Sequence, residues 1–210
     1  MHIPKTGGTA LREALFRAAP EALRLCDYGA DSPATSPLVR ELCYGEDGDV
    51  RRLRAAVADR PQVVLWGHFK SGRYAALRPE FRVATVLRDP AERVVSNYLH
   101  LLTRGRVEGS LLAYARQPEQ RDVQARFVGP KGLRRFAHVG VQAQLQATAE
   151  VLSDWLGRPI RLERLNVGSA GPSCEIGPTL RRELLLLNPR DEALYREALD
   201  RAGSADRAVA

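Results

Sequence analysis

The chain has 210 residues, 44% of them hydrophobic, and a formal net charge of +7. That composition fits one globular domain with a buried core and admits acidic partners such as nucleotides or anionic glycans. With 6% aromatic residues and no Lys/Arg block, a stacking surface for single-stranded nucleic acid is excluded from the expectation, as is a membrane span, since no apolar run is long enough. No leader-like segment stands ahead of the first motif, so the chain reads as cytoplasmic. Cys26, Cys43 and Cys174 lack metal-ligand spacing; no metal is expected, and a reducing compartment is the default.

The chain opens MHIPKTGGTALREALF. Gly7 and Gly8 make a turn, and Leu11, Leu15 and Ala18 then recur at helical spacing. A glycine-rich turn opening a helix is an anion cradle, because the first-turn N–H groups lack partners and the helix dipole favours negative charge there. Of the 32 basic residues only Lys5, Lys70 and Lys131 are lysines, which singles out Lys5 at the rim of this loop. His2 lies beside the loop and supports it. Taken alone, the segment also fits a plain loop with an N-cap.

Residues 27–50, with Gly, Pro, Ser and acids, read as surface loop. Two short apolar runs follow, 62–66 (QVVLW) and 81–87 (FRVATVL), each ending abruptly in a polar motif. Such runs fit strands buried on both faces, and the helical patterns between them fit parallel crossovers. The predicted architecture is α/β, a P-loop-like parallel sheet flanked by helices in a single domain over 1–210, with ligands at the carboxyl ends of the strands. A third strand is predicted at 136–141, a helix over 142–156, a further strand at 161–165, a mobile loop at 168–178, and two helices around 180–187 and 191–202.

The second polar motif is RDPAERVVSNY. Arg88 leaves a strand, Pro90 sets the turn, and Ser96 lies eight residues on, along a helix beginning near Ala91. Arg offers a planar fork of donors suited to phosphate, and a hydroxyl adds another. The competing reading is a surface Arg paired with Asp89 or Glu92.

Together HIPKTGGTAL and RDPAERVVSNY resemble the 5′-phosphosulfate loop and the 3′-phosphate motif of sulfotransferases that use 3′-phosphoadenosine 5′-phosphosulfate (PAPS). The family most resembled is that of bacterial sulfotransferases similar to heparan sulfate 2-O-sulfotransferases. Weaker matches lie at GHF, at VQARFVG around Gln124 and Arg126, and at LNPRDEALYREAL. The resemblance implies that Thr6, Gly7, Gly8 and Thr9 hold the 5′-phosphate and that Lys5 stabilises charge on the oxygen bridging phosphate and sulfur. It implies further that Arg88 and Ser96 bind the 3′-phosphate. The implied reaction moves a sulfuryl group from PAPS to a hydroxyl of a glycan or small molecule. The chain departs from the family's pattern at its start, where only Met1 to Ile3 stand for a first strand of several apolar residues, so a shortened first strand is expected. VGVQAQLQ lacks the charged pair expected there.

The acceptor hydroxyl needs a base. His68, just past the QVVLW strand in GHFKSG, is the candidate, on its place and on the resemblance, with an imidazole that titrates near neutral pH; the competing reading is a structural histidine. His100 follows Ser96 by one helical turn, and His138 sits inside a strand. A P-loop kinase is disfavoured because Lys5 precedes its glycines, where G-x-x-x-x-G-K-[ST] needs Lys after them. A catalytically silent nucleotide-binding relative would bind the nucleotide product without turnover.

Overall fold

The computed structural model describes residues 1–77, 80–163 and 176–209, with side chains up to 203. Helix α1 (Gly8–Ala18) leads to strand β1 (Leu23–Asp27), then to α2 (Pro37–Tyr44), α3 (Val50–Val57) and β2 (Val63–Gly67). Strand β3 (Ala84–Leu87) feeds α4 (Pro90–Leu102), followed by α5 (Leu111–Ala115), α6 (Val123–Val128) and β4 (His138–Val141). Helices α7 (Leu145–Leu156), α8 (Pro178–Leu186) and α9 (Pro189–Val209) complete the order. Among the described residues no helix is long and apolar enough to cross a membrane.

β1 pairs with β2 and β3 with β4, both parallel, with Leu25 opposite Leu65 and Ala84 opposite His138. Successive strand residues go to opposite faces, as a strand's period of two requires. Leu25, Leu65 and Leu87 join a core with Val39, Leu53 and Val57 from α2 and α3. Trp66 and Val86 join a second core with Leu11 and Leu15 from α1 and Leu152 from α7. Strands covered on both faces explain the continuous apolar runs.

The predicted single sheet is two parallel pairs instead. Residues 1–3 run between them: the Met1 amine donates to Ala84 O at 2.9 Å, and the His2 N–H donates to Gly67 O at 2.8 Å. Pro4 then ends the pairing, since it has no N–H. The expected shortened first strand is therefore a two-bond bridge, too short to count as a strand. On its amino side a cavity of about 650 Å³ opens between the edges of β2 and β3, lined by Val63 to Trp66, Val83 to Val86, Leu11 and Leu152 among others. Burial pushes the Met1 amine down to about 5, so it donates as a neutral amine at pH 7.

Three other expectations change. β1 is an unforeseen strand, in which only Leu25 and Asp27 of LRLCD are fully buried. The surface loop expected over 27–50 contains α2, where Val39, Leu42 and Cys43 bury one stripe behind Pro37 in the first turn. It also contains the start of α3, whose cap Asp49 accepts from the Arg51 N–H at 2.8 Å. Of the strand expected at 161–165, residues 161–163 are irregular and the last two lie outside the described residues, as does 168–175 of the expected loop. Pro178, the loop's last residue, opens α8.

The fit between β4 and α7 leaves no room at Gly140, where a Cβ would fall 1.9 Å from the Thr148 hydroxyl. Gly140→Ala should lower stability by roughly 1 to 3 kcal/mol, read as a lower urea midpoint at unchanged m-value. The double variant with Thr148→Ala should recover part of the loss. A Gly140→Ala protein as stable as the parent would contradict this packing.

Candidate functional site

The chain leaves Ile3 in a tight turn and enters α1 at Gly8. Lys5 and Gly7 take left-handed backbone at φ 71° and 87°, free of cost at the glycine and strained at the lysine. Thr6 is buried, and its hydroxyl donates to Ile3 O at 2.9 Å, closing the turn from inside. That hydroxyl is committed to the loop, which leaves Thr6's backbone as the part able to face a ligand. No side chain caps α1, so the first-turn N–H groups around Gly8 and the exposed Thr9 are available to an anion. Lys5 is half-buried, and burial first, then Arg88 and Arg104, lower its pKa. Extra negative charge beside it is correspondingly favoured.

Arg88 stands where β3 ends. The Gln124 side chain clamps its backbone from both sides, accepting from the Arg88 N–H at 2.9 Å and donating to Arg88 O at 2.8 Å. Gln124 is held in turn by Asp191, which accepts from the N–H groups of Gln124 and Ala125 at 3.1 and 2.7 Å. The weaker sequence matches around Gln124 and in LNPRDEALYREAL thus dock on each other and fix Arg88. The Arg88 guanidinium donates to Lys5 O and to Glu92, each at 3.3 Å. Asp89 caps α4 by accepting from the Glu92 N–H at 3.0 Å. Ser96, two turns into α4, shares a cavity of about 490 Å³ with Arg88.

The same cavity is lined by Arg181 from α8, ion-paired to Asp89. Sequence reasoning missed Arg181: it belongs to neither motif, and only its place in the Arg181–Arg182 pair, just past the 168–178 loop, could have flagged it. The Arg88 guanidinium reaches Lys5 O, so the structure brings the two motifs into contact.

His68 follows Gly67, where a Cβ would overlap Asp27 O at 1.8 Å, so only glycine fits at this exit from β2. The His68 N–H donates to Asp27 O at 2.8 Å. Burial alone would raise the Asp27 carboxyl, but donors from Tyr44, Tyr74, Gly29 and Arg73 outweigh it and hold its pKa below the usual value. The His68 Nε2 lies 3.0 Å from His2 Nδ1, and the Tyr28 ring meets His68 edge-on at 4.8 Å. His100 sits in the last turn of α4 with its Nδ1 2.5 Å from an Arg104 nitrogen. His138 contacts Thr148 Oγ1 at 3.2 Å.

The expected titration of His68 near neutrality is corrected: burial, then Arg12, push it down to about 4. Burial, then His68, push His2 down to about 3. Both folded values lie below the ordinary 6.5, so between pH 6.5 and about 4 the unfolded chain binds protons that the native protein refuses. This part of the stability is complete above pH 6.5 and lost as pH falls toward 4. The urea midpoint should therefore drop over that window, less steeply in His68→Gln; a flat profile from pH 7 to 4.5 would contradict these environments.

No protein-family model matches the chain, and no curated protein matches it either. Among solved structures it is similar in fold to the crystal structure of a sulfotransferase from Alicyclobacillus acidocaldarius. The two align with a TM-score of 0.52 at 19% sequence identity, over 94% of this chain and 94% of the other.

Proposed function

We propose that this protein is a PAPS-dependent sulfotransferase that transfers a sulfuryl group to a hydroxyl of a saccharide or small molecule. The observation that carries the reading is the joining of two anion sites by one side chain. Arg88 touches Lys5 O in the uncapped loop and also lines the cavity of Ser96 and Arg181. A nucleotide with separate 5′ and 3′ phosphate groups matches that pair of sites. Backbone N–H groups of Thr6, Gly7, Gly8 and Thr9 would hold the 5′ group, and Arg88, Ser96 and Arg181 the 3′ group.

PAPS supplies the activated sulfuryl group when bound. Lys5 places an ammonium at the loop, where charge grows on the oxygen that leaves sulfur. His68 is neutral at pH 7 and takes the proton of the acceptor hydroxyl as the new O–S bond forms and the bridging one breaks. The negative charge of a nucleotide in the cradle offsets Arg12 and so raises the proton affinity of His68 when the base is needed. The proposed transfer uses no metal, because a singly charged sulfuryl group has less need of one than a phosphoryl group. A likeness in fold to a sulfotransferase supports the reading.

Calorimetry tests it. Adenosine 3′,5′-bisphosphate should bind at least ~10-fold more tightly than AMP, and Arg88→Ala should remove about 1.5 to 3 kcal/mol of bisphosphate affinity. Arg181→Ala should weaken the bisphosphate while sparing AMP. Equal affinities for the two nucleotides in the intact protein would overturn the reading.

Turnover is measured by incubating ³⁵S-labelled PAPS with cell-extract fractions and identifying the labelled product, which also names the acceptor. Lys5→Ala should lower kcat sharply with a smaller change in bisphosphate affinity, since its partner gains charge mainly in the transition state. His68→Ala should lose roughly 10²- to 10⁴-fold in turnover while still binding the bisphosphate. A Lys5→Ala enzyme with normal kcat, or a folded His68→Ala enzyme with normal turnover, would remove the corresponding role.

A further inference from the structure

The His2 ring is built into the site more tightly than a loop support requires. Its backbone N–H is bound to Gly67 O at 2.8 Å, while the neighbouring His68 N–H is bound to Asp27 O at 2.8 Å. Both backbones are thus fixed at the paired ends of β1 and β2, where Asp27 lies opposite Gly67, and the rings meet with centroids 4.7 Å apart and 3.0 Å between His68 Nε2 and His2 Nδ1. On the far side, the His2 ring fills the notch that Gly8 leaves, where a Cβ would fall 2.0 Å from His2 Nε2. Trp66 closes another side with its ring 5.5 Å away. The glycine that opens α1 therefore admits a ring that reaches through to the candidate base.

Two neutral imidazoles facing each other through one nitrogen each share one proton. If His2 Nδ1 donates, His68 Nε2 accepts and His68 Nδ1 carries a hydrogen, which leaves it no lone pair for the acceptor's proton. If His2 Nδ1 accepts from His68 Nε2–H, then His68 Nδ1 is bare and able to act. His2 Nε2 is buried without a hydrogen-bond partner in either arrangement, so it does not choose between them. The reaction does: once Nδ1 takes a proton, His68 becomes a cation and its Nε2–H donates more strongly, a gain that exists only where His2 accepts.

Resting on the reading of His68 as the base, we propose that His2 is a positioning residue: its Nδ1 accepts from His68 Nε2–H and so keeps His68 Nδ1 as the proton-accepting nitrogen. The charged groups facing the pair fit the role. Arg12 stands by both rings and Lys5 by His2, both disfavouring a proton on His2. His2 therefore remains a neutral acceptor while His68 cycles between its two states. Tyr28, edge-on to His68 and accepting from Arg12 at 3.2 Å, holds the remaining side.

The test is the ¹⁵N spectrum of the imidazole rings in the full-length protein at pH 7, with and without adenosine 3′,5′-bisphosphate, set beside turnover of ³⁵S-labelled PAPS with the acceptor fraction. His68 should be protonated at Nε2 and bare at Nδ1 in the native protein. In His2→Leu it should become a mixture of tautomers, with kcat down at least ~10-fold and bisphosphate affinity unchanged. His2→Asn, which keeps an acceptor near the Nδ1 position, should restore the single tautomer and most of kcat. A native His68 carrying its hydrogen on Nδ1 would overturn the inference by itself, and does not require the leucine variant to fold. A His2→Leu enzyme with full kcat, alongside an inactive His68→Ala, would overturn the role of His2 and leave the base in place. Full turnover in His68→Ala would instead remove the base reading on which the inference rests.

Discussion

The site depends on two backbone hydrogen bonds, from the Met1 amine to Ala84 O and from the His2 N–H to Gly67 O. They tie the start of the chain to β2 on one side and β3 on the other, and among the described residues the two sheets have no other ladder between them. The turn that opens α1 begins two residues later, so its position relative to His68 and Arg88 is inherited from that bridge. Each bond contributes on the order of 1 kcal/mol to stability. What holds the arrangement is the packing around it: Ile3 is fully buried in one core, and Leu11 and Leu15 of α1 are buried in the other.

A second constraint works from the opposite end of the chain. Asn188 accepts from the Asp122 N–H, while Asp122 accepts from the N–H groups of Arg190 and Asp191, so the starts of α6 and α9 cap one another. Asp191 then holds the first turn of α6, and Gln124 in that turn clamps the Arg88 backbone. The two bonds that Asp191 accepts are buried, where an unmade partner costs most. The Arg88 backbone is thus held by residues as far as a hundred positions away, while its guanidinium reaches Lys5 O and Glu92.

The legible parts of the sequence were those that carry chemistry in a local pattern. GGT before a helical repeat marked the loop, and RDP marked a strand end with a capped helix. The apolar runs marked β2 and β3 because both faces of those strands are covered. β1 was not legible: with Arg24 exposed and Cys26 only partly buried, LRLCD has too short an alternation to stand out. α2 was hidden by the turn-forming residues ahead of it, whose side chains are used in tertiary bonds, Ser36 on the Cys26 N–H and Thr35 on the Tyr28 N–H. Arg181 could not be found because its role comes from a helix laid against Asp89 across ninety residues of chain. The lowered proton affinity of His68 is likewise a property of burial and of Arg12, neither of which a motif records.

The carboxylates around the site divide by burial, and the division bears on how an anion could enter. Asp27 is 1% exposed and accepts from Arg73, Tyr44, Tyr74 and the Gly29 N–H, so removing any partner would strand a buried charge. That cluster is scaffold, and it holds the loop bearing His68 to the end of β1. Glu92 is solvent-accessible, and an ion pair of that kind is worth about 0 to 1 kcal/mol, whereas Asp89, the partner of Arg181, is buried. Arg88 can therefore exchange its carboxylate partner for an anion at small cost, while Arg181 is tied to a buried one. Among the described residues no carboxylate pairs with Lys5, which sits on strained backbone with its charge disfavoured by burial and by Arg88. A negative charge brought to the uncapped start of α1 would offset the desolvation of the Lys5 ammonium, while the strain of its backbone stays with the turn.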